Sequence, residues 1–210
     1  MTQLIIRLFI PNWKNTENPA VRERYGKVSG LVGVATNLLL AVLKLVTGLL
    51  FNSIAIMADA ANNFSDSASS VVTLIGFKLS GKPADAEHPF GHARIEYISG
   101  MIVSFIVVML GFQLAQSSIE KILVPEEASF TWVTVAILMI SILAKLWQGL
   151  FYRKMGKTIS STTLMATATD SINDVVATSA VLLGILITLF TKVNLEGWLG
   201  LAGAVSIMIS

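Results

Sequence analysis

The chain has 210 residues, 54% of them hydrophobic and only 13% charged, with a formal net charge of +2 and a mean hydropathy of +0.72. A soluble domain carries roughly 25% charged residues, so this composition excludes an ordinary soluble protein and fits a polytopic membrane chain. Cysteine is absent, which excludes disulfides and thiolate metal sites.

In chain order, Leu4 to Ile10 is apolar but short, is interrupted by Arg7 and stops at Pro11. It reads as an interfacial segment, too short to span and without the small-residue cleavage site of a signal peptide. Residues 1–28 are expected to form a cytoplasmic N-terminal segment. Five stretches then reach the ~20 residues that a bilayer crossing needs. They are Ser29 to Phe51, Ser53 to Phe77, Tyr97 to Ser117, Thr131 to Phe151, and Thr163 to Phe190. A sixth starts near Leu199 and is still apolar at Ser210, which predicts a chain that continues past that point. Residues 29–210 are thus read as a transmembrane domain.

Basic residues give the orientation. Arg7, Lys14, Arg22, Arg24 and Lys27 precede the first span, Lys78, Lys82 and Arg94 lie between the second and third, and Arg153, Lys154 and Lys157 between the fourth and fifth. Only Lys121 and Lys192 lie on the opposite side, where a connector of about one residue joins the first two spans. The N-terminus is therefore expected in the cytoplasm. Lys44 and Lys145 fall within spans, and snorkelling of both to the headgroups is the expected behaviour.

The residues that carry chemistry are paired at helical spacing. Asn62 with Asp66 and Asp170 with Asp174 are each four apart, which puts each pair on one helix face, about 6 Å apart along the axis. Together the two faces offer four oxygen groups around one small cation. Hard oxygen ligands without imidazole or thiolate favour Mg²⁺, Ca²⁺ or Mn²⁺ over Zn²⁺ or Cu²⁺. Ionisable groups at membrane depth are expensive to keep and mark ion or substrate paths. The bland alternatives are an interhelical hydrogen bond for Asn62 and a later-starting fifth span that leaves Asp170 and Asp174 in a loop. Asp59 and Asn63 share roughly the Asn62/Asp66 face, as supporting partners or substitute ligands. Between the second and third spans, Asp85, His88 and His92 have spacings compatible with a small loop metal site, the alternative being solvated histidines.

These residues resemble the cation diffusion facilitator family. Ser53 to Ser69, including Asp59, Asn62 and Asp66, is similar to its signature. Pro83-Ala84-Asp85 with His88-Pro89-Phe90-Gly91-His92 is similar to its second landmark, and Asp170 with Asp174 to its third. The resemblance implies an all-α membrane protein, a homodimer whose six-helix transmembrane bundle precedes a C-terminal cytoplasmic domain absent from this chain. It implies export of divalent metal in exchange for protons. Asn62, Asp66, Asp170 and Asp174 then form the transport site, and Asp85, His88 and His92 a cytoplasmic-loop site. Arg94 falls where members can carry a basic residue that pairs near the dimer interface. Zinc-type members usually place histidine in one or both transport pairs. Here those positions are Asn62 and Asp170, which resembles the manganese-exporting branch.

The expected function is a Mn²⁺/proton antiporter of the cell membrane working by alternating access, with Zn²⁺, Fe²⁺, Co²⁺ or Cd²⁺ as alternative cargo and no nucleic-acid partner. Carboxylates that bind a cation can bind protons instead, and several packed together cannot all stay ionised without a counter-charge. A cation channel with an acidic ring is a rival reading. The rival from the enzymes is an intramembrane aspartyl protease. Its Gly-x-Gly-Asp context is missing, since Asp170 follows Ala168-Thr169 and Asp66 follows Phe64-Ser65.

Overall fold

A computed structural model describes residues 2–80, 93–124, 131–191 and 195–209. They form helices, with no strand among the described residues. The helices are α1 (Thr2–Phe9), α2 (Pro19–Leu50), α3 (Ile54–Ser80), α4 (Ala93–Leu123), α5 (Trp132–Ile159), α6 (Thr162–Thr191) and α7 (Glu196–Ile209). Four of them, α2, α4, α5 and α6, are long and apolar enough to cross a membrane by length and composition. In α3 the described part carries Asp59, Asn62, Asn63 and Asp66, which dilutes its apolar content.

Helix ends overrun the apolar windows. Pro19 opens α2 where a missing N–H is harmless, and the helix carries Arg22, Arg24 and Lys27 before the apolar run begins. Its 32 residues span about 48 Å, well beyond a hydrocarbon core of about 30 Å. Similarly, α5 continues past Phe151 through Arg153, Lys154 and Lys157 to Ile159, which puts Lys145 at mid-helix.

Two tight reversals make antiparallel pairs. Asn52, left-handed at φ 51°, turns α2 into α3, and Ser53 Oγ accepts the Ile56 N–H at 3.2 Å to cap the new helix. Ser160, left-handed at φ 49°, ends α5, and Ser161 Oγ accepts the Leu164 N–H at 3.3 Å to start α6. At the α5–α6 contact a Cβ on Gly149 would stand 2.9 Å from Ile172 Cδ1, so glycine permits the approach. At the α2–α5 contact a Cβ on Gly33 would lie 1.7 Å from the Tyr152 hydroxyl. Tyr152 reaches α2 only because that position has no side chain.

Among the described residues, buried apolar side chains form three clusters. One joins Ile6 and Ile10 to Tyr25, Phe151, Met155 and Ile159, docking the N-terminal segment on α2 and α5. The second joins Ile54 and Ala58 to Leu114 of α4 and Ala204 of α7. The third joins Ala55 and Ile56 to Leu138 of α5 and to Val181, Leu182 and Ile185 of α6. At the start of α7, buried Glu196 accepts the Ala55 N–H at 2.9 Å, fixing α7 to the first turn of α3. Leu39, Leu49, Phe105, Phe112, Ile140, Leu143 and Phe190 are exposed. Apolar surface on this scale suits lipid as solvent. On α1, Leu4, Leu8 and Phe9 are exposed while Ile6 is buried.

Candidate metal site

The helical spacing of α3 sets Asp59, Asn62 and Asp66 along one side, and that of α6 does the same for Asp170, Asp174 and Thr178. The facing groups pair in opposite order along the two helices. Thr178 donates to Asp59 Oδ1 and Oδ2 at 3.1 and 3.0 Å. One turn on, Asn62 Nδ2 donates to Asp174 Oδ1 at 2.8 Å. Thus α3 and α6 meet across a polar ladder rather than an apolar seam at this level.

Both lysines within spans join that ladder, contrary to the snorkelling expectation. Lys145 Nζ donates to Asp66 Oδ2 at 2.9 Å and to Asp174 Oδ2 at 2.5 Å, with its side chain only 1% exposed. Lys44 Nζ pairs with Asp59 Oδ2 at 2.8 Å and lies 3.2 Å from Thr178 Oγ1, with its side chain fully buried. The physical reason is charge balance. Carboxylates held out of water need a partner, and a mid-helix ammonium that turns inward supplies one, whereas the headgroups are too far along the axis for Lys145. That signal was present in the sequence, as two lysines within spans of a chain whose other spans hold aspartates that need a counter-charge.

The sequence-predicted ligands divide accordingly. Asp66 and Asp174 converge on Lys145 Nζ, and Asn62 joins them through its bond to Asp174. Asp170 is exposed one turn away and has no hydrogen bond or ion pair among the described residues. It lines the same cavity as the other three. Among the described residues, no group of three or more His, Asp or Glu side chains is already gathered as a metal cage. Asp59 is committed to Lys44 and Thr178. Asn63 Nδ2 donates to the Asp59 carbonyl at 3.1 Å, while its Oδ1 is buried without a hydrogen-bond partner. Asp85, His88 and His92 lie outside the described residues.

The cavity holds about 1590 Å³ and has Asn62, Asp66, Lys145 and Asp174 in its wall. Its wall reaches the surface at the exposed Arg22, Glu23 and Lys27 near the start of α2 and at residues 160–163, the turn after α5 and the first residues of α6, and this end is its mouth. It is an aqueous approach to two carboxylates, an amide and an ammonium. Such a set can hold a hard cation through Asp oxygens and the Asn62 carbonyl oxygen, provided the ammonium yields its place.

Comparison with known proteins points to cation efflux. The model of the cation efflux transmembrane domain matches residues 30–210. The manganese efflux system protein MneS of Bacillus subtilis is 34% identical over 179 residues, covering 80% of this chain and 60% of that protein. The manganese efflux system protein MneP of the same organism is 32% identical over 181 residues, 84% of this chain and 59% of the relative. The magnetosome protein MamM of Magnetospirillum gryphiswaldense is 32% identical over 160 residues, 75% of this chain and 50% of the relative. The chain therefore spans about 60% or less of the length of these relatives.

Proposed function

Since the chain belongs to the cation efflux family, we propose that it exports Mn²⁺ from the cytoplasm in exchange for protons, holding the metal on Asn62, Asp66, Asp170 and Asp174. The observation that carries this reading is the convergence of Asn62, Asp66 and Asp174 from two helices in the wall of a water-accessible cavity. Family membership sets the chain among transporters, which removes the protease alternative. All-oxygen ligands and the names of MneS and MneP favour manganese over zinc or iron as cargo.

The six helices α2 to α7 are the spans in this proposal, and the protein works as a homodimer in the cell membrane. The basic start of α2 and the Arg153–Lys157 end of α5 lie in the cytoplasm under the positive-inside rule. The cavity mouth lies at that same end of both helices, so this is the inward-facing arrangement. Asp170, closest to the mouth along α6, meets the incoming cation first and closes around it from the exposed position. The Lys44–Asp59–Thr178 group lies on the far side of the site and seals the outward path. Rocking of α5 and α6 against α3 then exposes the site outward, where protons reload the carboxylates and release the metal.

Transport by the reconstituted protein in liposomes tests this. Mn²⁺ is expected to accumulate when a pH gradient is imposed, with proton counter-flow of at least one per metal, and more strongly than Zn²⁺. Uptake indifferent to the gradient would instead identify a channel. A second expectation concerns selectivity. Asn62→His replaces an amide oxygen by an imidazole nitrogen, a ligand that suits Zn²⁺, so the Zn²⁺/Mn²⁺ transport ratio rises. An unchanged ratio in competition assays removes Asn62 from the ligand set.

A further inference from the structure

The geometry points to Lys145 as an affinity- and charge-setting residue of the transport site, its ammonium competing with the cargo for Asp66 and Asp174; this rests on the transport reading above. Two observations carry it, taken together with that reading. Lys145 is at mid-helix in α5 and 1% exposed, so it is built into the bundle rather than reaching for the membrane surface. Its Nζ bridges carboxylate oxygens of two different helices, at 2.9 Å on α3 and 2.5 Å on α6. In the transport reading, the same two carboxylates are ligands of the dication.

An ammonium and a metal ion cannot share those oxygens at contact distance, because two cations so close repel, and the partly buried position of the carboxylates weakens the screening. Cation entry therefore pushes the Lys145 ammonium off Asp66 and Asp174, and the flexible four-carbon stem lets it withdraw into the adjoining cavity. Two consequences follow. The lysine weakens binding, which keeps the cargo releasable on the far side. It also sets the total charge: Asp66, Asp170 and Asp174 contribute three negative charges and Lys145 one positive, leaving the complement of a divalent ion. Without the lysine the same oxygens would suit a trivalent one.

The test compares Lys145→Met and Lys145→Gln with the wild type, measuring Mn²⁺ and La³⁺ binding by calorimetry and Mn²⁺ transport in liposomes. Both variants are expected to bind Mn²⁺ at least tenfold more tightly, and La³⁺ with a larger gain than Mn²⁺. KM falls and kcat falls with it, whereas a merely structural role would weaken binding. Lys145→Arg, which keeps the charge, retains weak Mn²⁺ binding. Unchanged or weaker Mn²⁺ affinity in the Met and Gln variants overturns the inference. In the wild type, saturating Mn²⁺ is expected to increase modification of Lys145 by a water-soluble amine reagent, read by mass spectrometry. Unchanged or reduced modification overturns the inference without any variant having to fold. Asp174→Ala separates the two levels. If it abolishes Mn²⁺ binding while the lysine variants leave affinity unchanged, only the role of Lys145 fails. If it binds Mn²⁺ as the wild type does, the transport-site reading itself fails.

Discussion

Asp174→Asn is expected to reduce Mn²⁺ transport by more than about a hundredfold. Partners that merely orient a metal ligand are worth about 10–100-fold when removed, and Asp174 is both a ligand in this reading and the group that orients others. One of its oxygens takes the Asn62 amide at 2.8 Å and the other takes Lys145 at 2.5 Å. The substitution keeps the shape but removes the charge, so Lys145 is left with Asp66 alone. Asp170→Asn provides the contrast. That side chain is exposed and makes no hydrogen bond or ion pair among the described residues, so transport falls while the unfolding temperature stays within about 2 °C of the wild type, as surface changes do. Liposome flux and thermal unfolding in detergent, measured on both variants, check the pair of expectations. Wild-type flux in Asp174→Asn would remove it from the site.

The second large effect is on stability. Asp59→Ala strands the Lys44 ammonium, which is fully buried and has Asp59 as its ion-pair partner at 2.8 Å. Breaking a buried pair from one side costs about 3–5 kcal/mol, because an uncompensated charge stays behind. For a chain of this size that corresponds to a fall of roughly 10 °C in the unfolding midpoint. Lys44→Met combined with Asp59→Leu removes both charges and replaces them with apolar volume. The double variant is expected to recover most of the lost stability, and to lose transport if the pair also seals the outward path. An unchanged midpoint in Asp59→Ala would show that Lys44 finds another partner.

Much of this was legible before any coordinates, and the reasons differ by residue. The four-residue spacings of Asn62/Asp66 and Asp170/Asp174 are translated directly by helix geometry into shared faces. The helical content follows from apolar stretches whose backbone groups have to be satisfied internally in lipid. What hydropathy could not give was the angular position of single residues. It located Lys44 and Lys145 along their helices but said nothing of which way each turned. For Lys145 the apolar window closes at Phe151 while α5 runs on to Ile159, so the residue lies deeper along its helix than the window suggests. Polar residues in the last turns of a helix look like loop to a hydropathy reading, yet here they remain helical. Asp170 shows the converse limit. Spacing groups it with Asp174, but one turn nearer the cavity mouth is enough to leave it exposed and without a partner among the described residues.

The contact between α3 and α6 changes character along its length. At one end Ala55 and Ile56 are clasped by Val181, Leu182 and Ile185, and farther along the meeting is made by Asp59 with Thr178 and Asn62 with Asp174. A joint of this kind behaves like a pair of tweezers. The greasy end acts as a fulcrum for opening on the cavity side, while the tips are joined by polar groups that can exchange one another for water. The tips can therefore spread and close without wetting hydrocarbon, and the bilayer around them need not be disturbed.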